Sequence, residues 1–286
     1  MLHRIAVLAD IHGNLTALQA VLADARQQEA TDYWFLGDLF LPGPGAQQLY
    51  QTLADVAPSV WLQGNWEQGI NAIMTGTGRL EEPSTIYFAR LTEYLVTHLQ
   101  SAQYEELIQR PIATQLTLNG LTFQLAHNQP ERSTGHDLYP AGEQTSFDHL
   151  AGDADVAVYG HTHQQVMRVS QRGQLIINPG ATGQPYSPYA KFMADQRANY
   201  ALLTVTDAGQ ISAEFRKVTY GIEQELALAR KQDLPYLKLY EHLRHTGYTS
   251  THDEKLLKRL NDEYGYQAVV QKFFGPSVTI SSERLR

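Results

Sequence analysis

Residues Ile5-Ala6-Val7-Leu8-Ala9-Asp10-Ile11-His12-Gly13-Asn14 decide how this chain is read. The first five are apolar and form a short run, the pattern of a buried parallel strand. Asp10 and His12 follow two residues apart, and at the end of a strand that spacing puts both side chains on one face. An oxygen donor and an imidazole aimed together, with glycine behind them, form half of a metal site. The other half has to come from elsewhere in the chain. Asn14 is placed to cap a helix running to about Ala25, with Leu15, Leu18, Val21 and Leu22 as its apolar stripe.

Working outward, Tyr33–Leu36 reads as a second short strand ending at Gly37-Asp38. Pro44 suits the first turn of a helix reaching about Ala54. Ser59–Leu62 reads as a third strand, ending at Gly64-Asn65-Trp66-Glu67. Strands alternating with helices imply a parallel α/β core. Such sheets bind ligands beyond the carboxyl ends of their strands, where Asp10, His12, Asp38 and Asn65 all fall. Residues 68–110 read as helical, chiefly Ser84–Gln100. Ala113–Leu118 and Leu121–Ala126 then flank Asn119-Gly120, a strong hairpin signal, and the second of these strands ends at His127. The polar loop Asn128–Pro140 is expected to line the site. A helix near Gly142–Leu150 precedes the strand Val156–Tyr159, which ends at Gly160-His161-Thr162-His163, again with a spacing of two. Strands near Gln165–Ser170, Gln174–Ile177, Tyr200–Thr206 and Ile211–Lys217 suggest a mostly antiparallel second sheet. From Gly221 the pattern is helical, near Ile222–Lys231, Tyr236–Arg244 and Asp253–Glu263.

Composition narrows the chemistry. The 286 residues are 43% apolar, enough for a substantial core, and include no Cys. Any metal is therefore held by oxygen and nitrogen. No run approaches the roughly 18 apolar residues of a membrane span, and the N-terminal run is too short for a signal peptide. A soluble cytoplasmic protein is the expectation. The net charge of −8 argues against a nucleic-acid partner, which normally needs a basic face. Bound cations can still reverse the local sign for a small phosphorylated substrate.

Six residues at strand ends are candidate metal ligands: Asp10, His12, Asp38, His127, His161 and His163. Asn65 makes a seventh. A lone strand-end Asp is most often a turn former and a lone His a hydrogen-bonded structural residue. Together, in this order and beside these glycines, they point to a metal centre. Asp10-x-His12, Gly37-Asp38-x4-Gly43-Pro44, Gly64-Asn65-x-Glu67, His127 and Gly160-His161-x-His163 resemble the signature of the calcineurin-like metallophosphoesterases, over about residues 1–217.

That resemblance implies an α/β fold, a four-layer β-sandwich flanked by helices. The helical pattern from Gly221 divides the chain into a catalytic domain, 1–220, and a helical C-terminal appendage, 221–286, expected to pack on it. The resemblance also implies two divalent metal ions, Mn or Fe ahead of Zn. Asp10, His12 and His163 would hold one, Asn65, His127 and His161 the other, and Asp38 would bridge them. Two cations about 3.5–4 Å apart clamp a phosphate and bring a shared water to hydroxide near neutral pH. Asn14 either donates to a phosphate oxygen or serves only as the helix cap.

The chain departs from the family pattern in two places. Many members carry an acid His directly after the motif Asn. Here that residue is Trp66, as a branch of single-domain bacterial phosphodiesterases also lacks the His. Asn128 stands where glycine is expected after His127. His136, in the polar loop, is either a substitute acid or a solvated residue. His3, His98, His149, His242, His245 and His252 read as structural or surface residues. Asn178-Pro179-Gly180 resembles a family segment near the site and also reads as a tight turn. Trp66 should lie at the mouth of the site, as packing or as a face for a nucleobase. Tyr236, Tyr240, Tyr248, Tyr264 and Tyr266 read as core or oligomer contacts, which leaves room for a homo-oligomer.

Without a positioned acid, leaving groups of low pKa depart best. The expected reaction is hydrolysis of phosphodiester or phosphoanhydride bonds, in nucleotides such as diadenosine polyphosphates or cyclic nucleotides. The alternatives are a serine/threonine protein phosphatase and a noncatalytic metal-dependent nucleotide sensor.

Overall fold

In a computed structural model, which describes residues 1–77 and 80–275, the opening run forms strand β1 (His3–Leu8) and Asn14 caps helix α1 (Leu15–Gln27) by accepting from Ala17 N. Strand β2 (Asp32–Phe35), helix α2 (Gln47–Ala54) and the short strand β3 (Val60–Trp61) follow. Helix α2 starts later than Pro44 predicts. Residues 38–46 instead form a buried loop whose glycines bond back to the first loop, Gly43 N to His12 O and Gly45 N to Gly13 O. The helical stretch resolves into α3 (Asn65–Met74), α4 (Pro83–His98) and α5 (Ser101–Ile108). Positions 78 and 79 within it lie outside the described residues.

The hairpin β4 (Ala113–Leu118) and β5 (Leu121–Ala126) is as expected. Asn119 and Gly120 both have positive φ, 49° and 83°, as a two-residue turn of type I′ requires. Next come α6 (Gln144–Ala151), β6 (Val156–Tyr159), β7 (Gln165–Val169), β8 (Leu175–Pro179), the short α7 (Ala190–Met193), β9 (Ala198–Val205) and β10 (Ile211–Val218). The chain then forms α8 (Ile222–Lys231), α9 (Leu237–Thr246), α10 (Glu254–Tyr264) and α11 (Tyr266–Phe274). The sequence pattern missed α11.

Two five-stranded sheets stack face to face, in the orders β10-β9-β1-β2-β3 and β4-β5-β6-β8-β7. The alternation along β1 shows why. Ile5 and Val7 point between the sheets with Trp34, Phe123, Val158 and Leu203, while Ala6 and Leu8 point outward to α1 and its neighbours. The outer face of the second sheet is covered by α6 through Phe147 and Leu150, packed with Tyr159 and Ile176. This gives four layers, helix–sheet–sheet–helix. Burying one such aliphatic or aromatic side chain is worth about 1.5–3 kcal/mol.

The expected second sheet needs correction. β9 pairs antiparallel with β1 (Ile5 opposite Leu203), and β10 pairs with β9, so both extend the first sheet. The second sheet is mixed, because β5, β6 and β8 run parallel. β9 is a nearly unbroken buried run, the signature of a strand covered on both faces. Such a run identifies a central strand but not its sheet.

The helices after residue 221 share the outer core of the first sheet. Leu226, Tyr240, Leu257 and Val270 are buried in one cluster with Leu18 of α1 and Leu91 of α4. Residues 276–286 of the expected appendage lie outside the described residues. Among the described residues no helix is long and apolar enough to cross a membrane.

Candidate metal centre

The sequence-predicted ligands converge, but not by strand geometry. β1 ends at Leu8 and β6 at Tyr159. Asp10, His12, Asp38, His161 and His163 all sit in the left-handed region, with φ between 52° and 64°. Non-glycine residues are uncommon there, and each such conformation costs energy that surrounding structure must offset. Spacings of two therefore aim side chains together through tight left-handed turns rather than through a pleat.

Backbone bonds hold these turns. Asp10 N donates to Gly37 O (3.0 Å), and Ile11 N and His12 N both donate to Asp38 O (2.8 and 3.0 Å). Glu67, fully buried on α3, accepts from the N–H groups of Asp38 (2.8 Å), Leu39 (2.9 Å), Phe40 (3.4 Å) and Gly64 (2.7 Å). One carboxylate thus ties the loop after β2 to the loop after β3. At Gly64 a Cβ would overlap Asp38 Oδ1, so only glycine lets the two loops meet.

Each histidine donates one ring N–H to a backbone carbonyl: His12 Nδ1 to Leu41 O (2.7 Å), His127 Nδ1 to Leu36 O (2.7 Å), His163 Nδ1 to Gln184 O (2.8 Å) and His161 Nε2 to Gly135 O (3.0 Å). A carbonyl can only accept, so these nitrogens carry the protons and the opposite ring nitrogens present lone pairs when neutral. Those lone pairs face one another. His12 Nε2 lies 3.0 Å from His163 Nε2, and both His127 Nε2 and His161 Nδ1 lie 2.9 Å from Asn65 Oδ1. Asp38 Oδ2 sits between the two groups, 3.6 Å from His12 Nε2 and 3.5 Å from His127 Nε2. Asp10 Oδ1 is 3.6 Å from His163 Nε2, and Asp10 Oδ2 finds no hydrogen-bond partner among the described residues. The ligand atoms of Asp10, His12, Asp38 and His163 lie within 4.8 Å of one another.

A buried set rich in acceptors is what a cation needs, and a carbonyl on the second ring nitrogen is the usual support of a metal-binding histidine. The residues present therefore fit a divalent metal held by oxygen and nitrogen. The electrostatics agree at three imidazoles and at Asp38, while burial raises the Asp10 carboxyl well above its usual range. Burial lowers the pKa of His12 and His163 and takes His161 to about 3, so these imidazoles are neutral, their metal-binding form. Burial raises Asp38, but His127, His12 and the Trp66 N–H (2.9 Å from Oδ1) outweigh it and hold this carboxyl well below the usual range. Burial lowers His127, and the Asp38 carboxylate more than reverses it, to about 9. A metal ion at this position would have to displace the His127 Nε2 proton, since a ligating imidazole is neutral.

A second tier of residues supports these ligands, and of them residues 181–184, Arg244 and Glu225 carry no motif that sequence reasoning used. Residues 181–184 lie across the first loop. Thr182 N donates to Ala9 O (2.8 Å) and Gly183 N to Asp10 O (3.0 Å), and a Cβ on Gly183 would overlap Ile11 O. Asn14 Nδ2 donates to Gly183 O (3.1 Å), as does Arg244 Nη1 from α9. Arg244 is 1% exposed, a guanidinium buried beneath the site. Glu225 of α8, also buried, accepts from Thr16 N and Thr16 Oγ1 (both 2.9 Å) and from Tyr240 (3.1 Å). Asn178 donates to Gly160 O (2.6 Å) and Thr162 Oγ1 (3.0 Å), fixing the turn that carries His161 and His163. Asn14 is 1% exposed, and its bonds serve the helix cap and Gly183.

Above these ligands opens a cavity of about 630 Å³ with Asp38, Asn65, His161 and His163 on its floor. Trp66 lines it and is half-buried, its ring 5.2 Å from His12 and 5.0 Å from Phe88. His136, in the polar loop, lines it too. One expectation needs correction here. Tyr248, read as a core or oligomer contact, is 51% exposed and lines the cavity from the turn between α9 and α10, as does the surface residue His252. No periodic signal could have shown that this turn folds back over the strand ends.

A family model described as the calcineurin-like phosphoesterase superfamily domain matches residues 3–208. An uncharacterized protein of Methanocaldococcus jannaschii is 24% identical over 251 residues, 81% of this chain and 93% of the relative. A metallophosphoesterase from Sphaerobacter thermophilus superposes with a TM-score of 0.66 at 26% identity, covering 86% of this chain and all of that one. A hypothetical protein from Pyrococcus horikoshii gives the same TM-score at 17% identity, covering 86% and 99%, a likeness of fold.

Proposed function

Because the chain belongs to the calcineurin-like phosphoesterase superfamily, we propose that it is a phosphoesterase working with two divalent cations. Asp10, His12 and His163 would hold one, Asn65, His127 and His161 the other, and Asp38 both. The observation that carries this is the convergence, in one buried space, of four imidazoles held at their far nitrogens by carbonyls with the side-chain oxygens of Asp10, Asp38 and Asn65. Cations in such a pair act as Lewis acids on a phosphoryl oxygen and lower the pKa of water. The chain's own residues do the positioning. The carbonyls of Leu41, Leu36, Gln184 and Gly135 keep the ring lone pairs aimed inward. The Trp66 N–H occupies Asp38 Oδ1 and leaves Oδ2 facing both groups. The nitrogen and oxygen donors suit Mn, Fe or Zn.

The reaction proposed is hydrolysis of phosphodiester or phosphoanhydride bonds of nucleotides. The residue after Asn65 is an indole rather than a proton donor, which favours leaving groups that depart as anions. Elemental analysis of the purified protein tests the metal reading. A panel of bis(p-nitrophenyl) phosphate, cyclic AMP, diadenosine tetraphosphate and a phosphopeptide, run with Mn, Fe, Zn, Ni or Co restored, tests the substrate. The expected result is bound metal and turnover of the diesters or anhydrides. Preference for the phosphopeptide would install the protein phosphatase reading. Tight nucleotide binding with no turnover under any metal would install the sensor. A protein that binds none of these metals would end the proposal.

A further inference from the structure

The cavity is much larger than its floor needs. Sites of about 300–1,000 Å³ enclose whole organic ligands, and this one measures about 630 Å³. Its walls hold two open aromatic rings, Tyr186 at 40% and Tyr248 at 51% exposure. Both are set by their backbones. Tyr186 N donates to His163 O (3.2 Å), directly beside the candidate ligands. Tyr248 follows Gly247, whose φ of 78° turns the chain out of α9, and Tyr248 N donates to Thr246 Oγ1 (3.2 Å). Trp66, by contrast, has its ring engaged with His12 and Phe88.

Charge restricts the occupant further. The lining carries carboxylates, Asp38 on the floor and Glu254 at the rim, and no Lys or Arg among the described residues. A cation pair at the floor can neutralise one phosphate. Further phosphates would meet no fixed positive charge on the walls and a like charge at the exposed Glu254, which opposes them weakly through solvent.

We infer that the site takes a substrate with a single phosphoryl group on the floor and a flat, uncharged ring, such as a nucleobase, against Tyr248 and Tyr186. This rests on the phosphoesterase reading for its floor and narrows it, setting diesters of a nucleoside above dinucleoside polyphosphates. Tyr248 and Tyr186 are then the residues that select the ring.

The test compares two ligands of equal charge, AMP and methyl phosphate, by calorimetry on the metal-loaded protein, with ADP as a third. Base–aromatic stacking is worth about five- to hundredfold in affinity, so AMP should bind tighter than methyl phosphate by about that ratio. Tyr248→Ala should cut the ratio by about fivefold or more, Tyr186→Ala should cut it less, and Tyr248→Phe should keep it, because the ring face remains. ADP should bind no tighter than AMP. An AMP preference that survives both alanine variants, or affinity that climbs with each added phosphate, would overturn the inference. Elemental analysis of the same samples reads the metal premise separately, and the AMP ratio is measured whether or not turnover is found. A protein that keeps the AMP preference but hydrolyses no ester would retain the ring site and lose the phosphoesterase reading.

Discussion

The floor and the rim of the cavity are built by different means. The floor gathers side chains from the turns after β1, β2, β5 and β6 and from the start of α3. Each imidazole there is fixed at its far nitrogen by a main-chain carbonyl. The rim comes from the turn between α9 and α10, from Tyr186 and from the loop carrying His136. Tyr186, Tyr248, His252 and Glu254 there are open to solvent. A floor locked by its backbone holds one chemistry, while an open rim can change its occupant without disturbing it.

The largest effect that could break this division is at Asp38. Its Oδ2 faces His12 and His127 at once, so Asp38→Asn should reduce hydrolysis to background and weaken metal binding in both groups. His12→Ala should chiefly lower one equivalent of metal. Metal titration by elemental analysis, with turnover on a diester, separates the two variants. An Asp38→Asn protein with two metals and full rate would show that the floor is not built around this carboxylate.

Glu67 comes next. It touches no candidate substrate position and acts as a positioning residue, through the N–H groups it gathers. In Glu67→Gln an amide NH₂ must face backbone donors, and each buried group left unpaired costs about 1–3 kcal/mol. Stability to denaturant should fall by that order, and metal affinity by about 10–100-fold, as for other residues that orient ligands. Normal metal affinity in a stably folded Glu67→Gln protein would mean that the loops after β2 and β3 hold without their shared clip.

Much of the floor was legible in the sequence because its ligands stand beside glycines at fixed spacings. The reason for the spacing was not. Period-two logic assumes extended backbone, whereas Asp10, His12, His161 and His163 have positive φ. The strands were legible from their apolar runs, yet the sheet that β9 and β10 join was not, since a run buried on both faces fits either. Glu225 and Arg244 sit in amphipathic helices whose other charges face solvent. One-dimensional periodicity cannot mark the single glutamate or arginine that turns inward. Tyr248 was misread as core for a related reason. Its place at the rim depends on how α9 and α10 pack over the first sheet, which no local pattern encodes.

Arg244 sharpens the comparison, because it couples the two regions. It reaches from α9 to the carbonyl of Gly183, which Asn14 shares. Arg244→Met should leave metal content unchanged and lower kcat/KM by about tenfold through a loosened 181–184 segment. Its stability should drop by about 0.5–1.5 kcal/mol, since the Gly183 carbonyl loses one of two donors and keeps Asn14. Unchanged kcat/KM with reduced stability would show that α9 supports the fold without reaching the chemistry.

The smallest effect is expected from the histidines of the last helices. His245 Nε2 pairs with Glu223 Oε1 at 2.9 Å, but both side chains are exposed, and such pairs add little. His242 lies on α9, and His252 lines the cavity from the far side of the rim. None of the three belongs to the converging set of lone pairs. The combined variant His242→Ala, His245→Ala and His252→Ala should therefore keep its full metal content, and its Tm should move by no more than about 2–4 °C, the shift that 1 kcal/mol gives in a chain of this order. Turnover should change modestly, and only through His252. Elemental analysis and a thermal scan read both quantities on one sample. Loss of an equivalent of metal from a protein that still melts normally would place a ligand on the rim, and the division between a fixed floor and a variable rim would fail at that point.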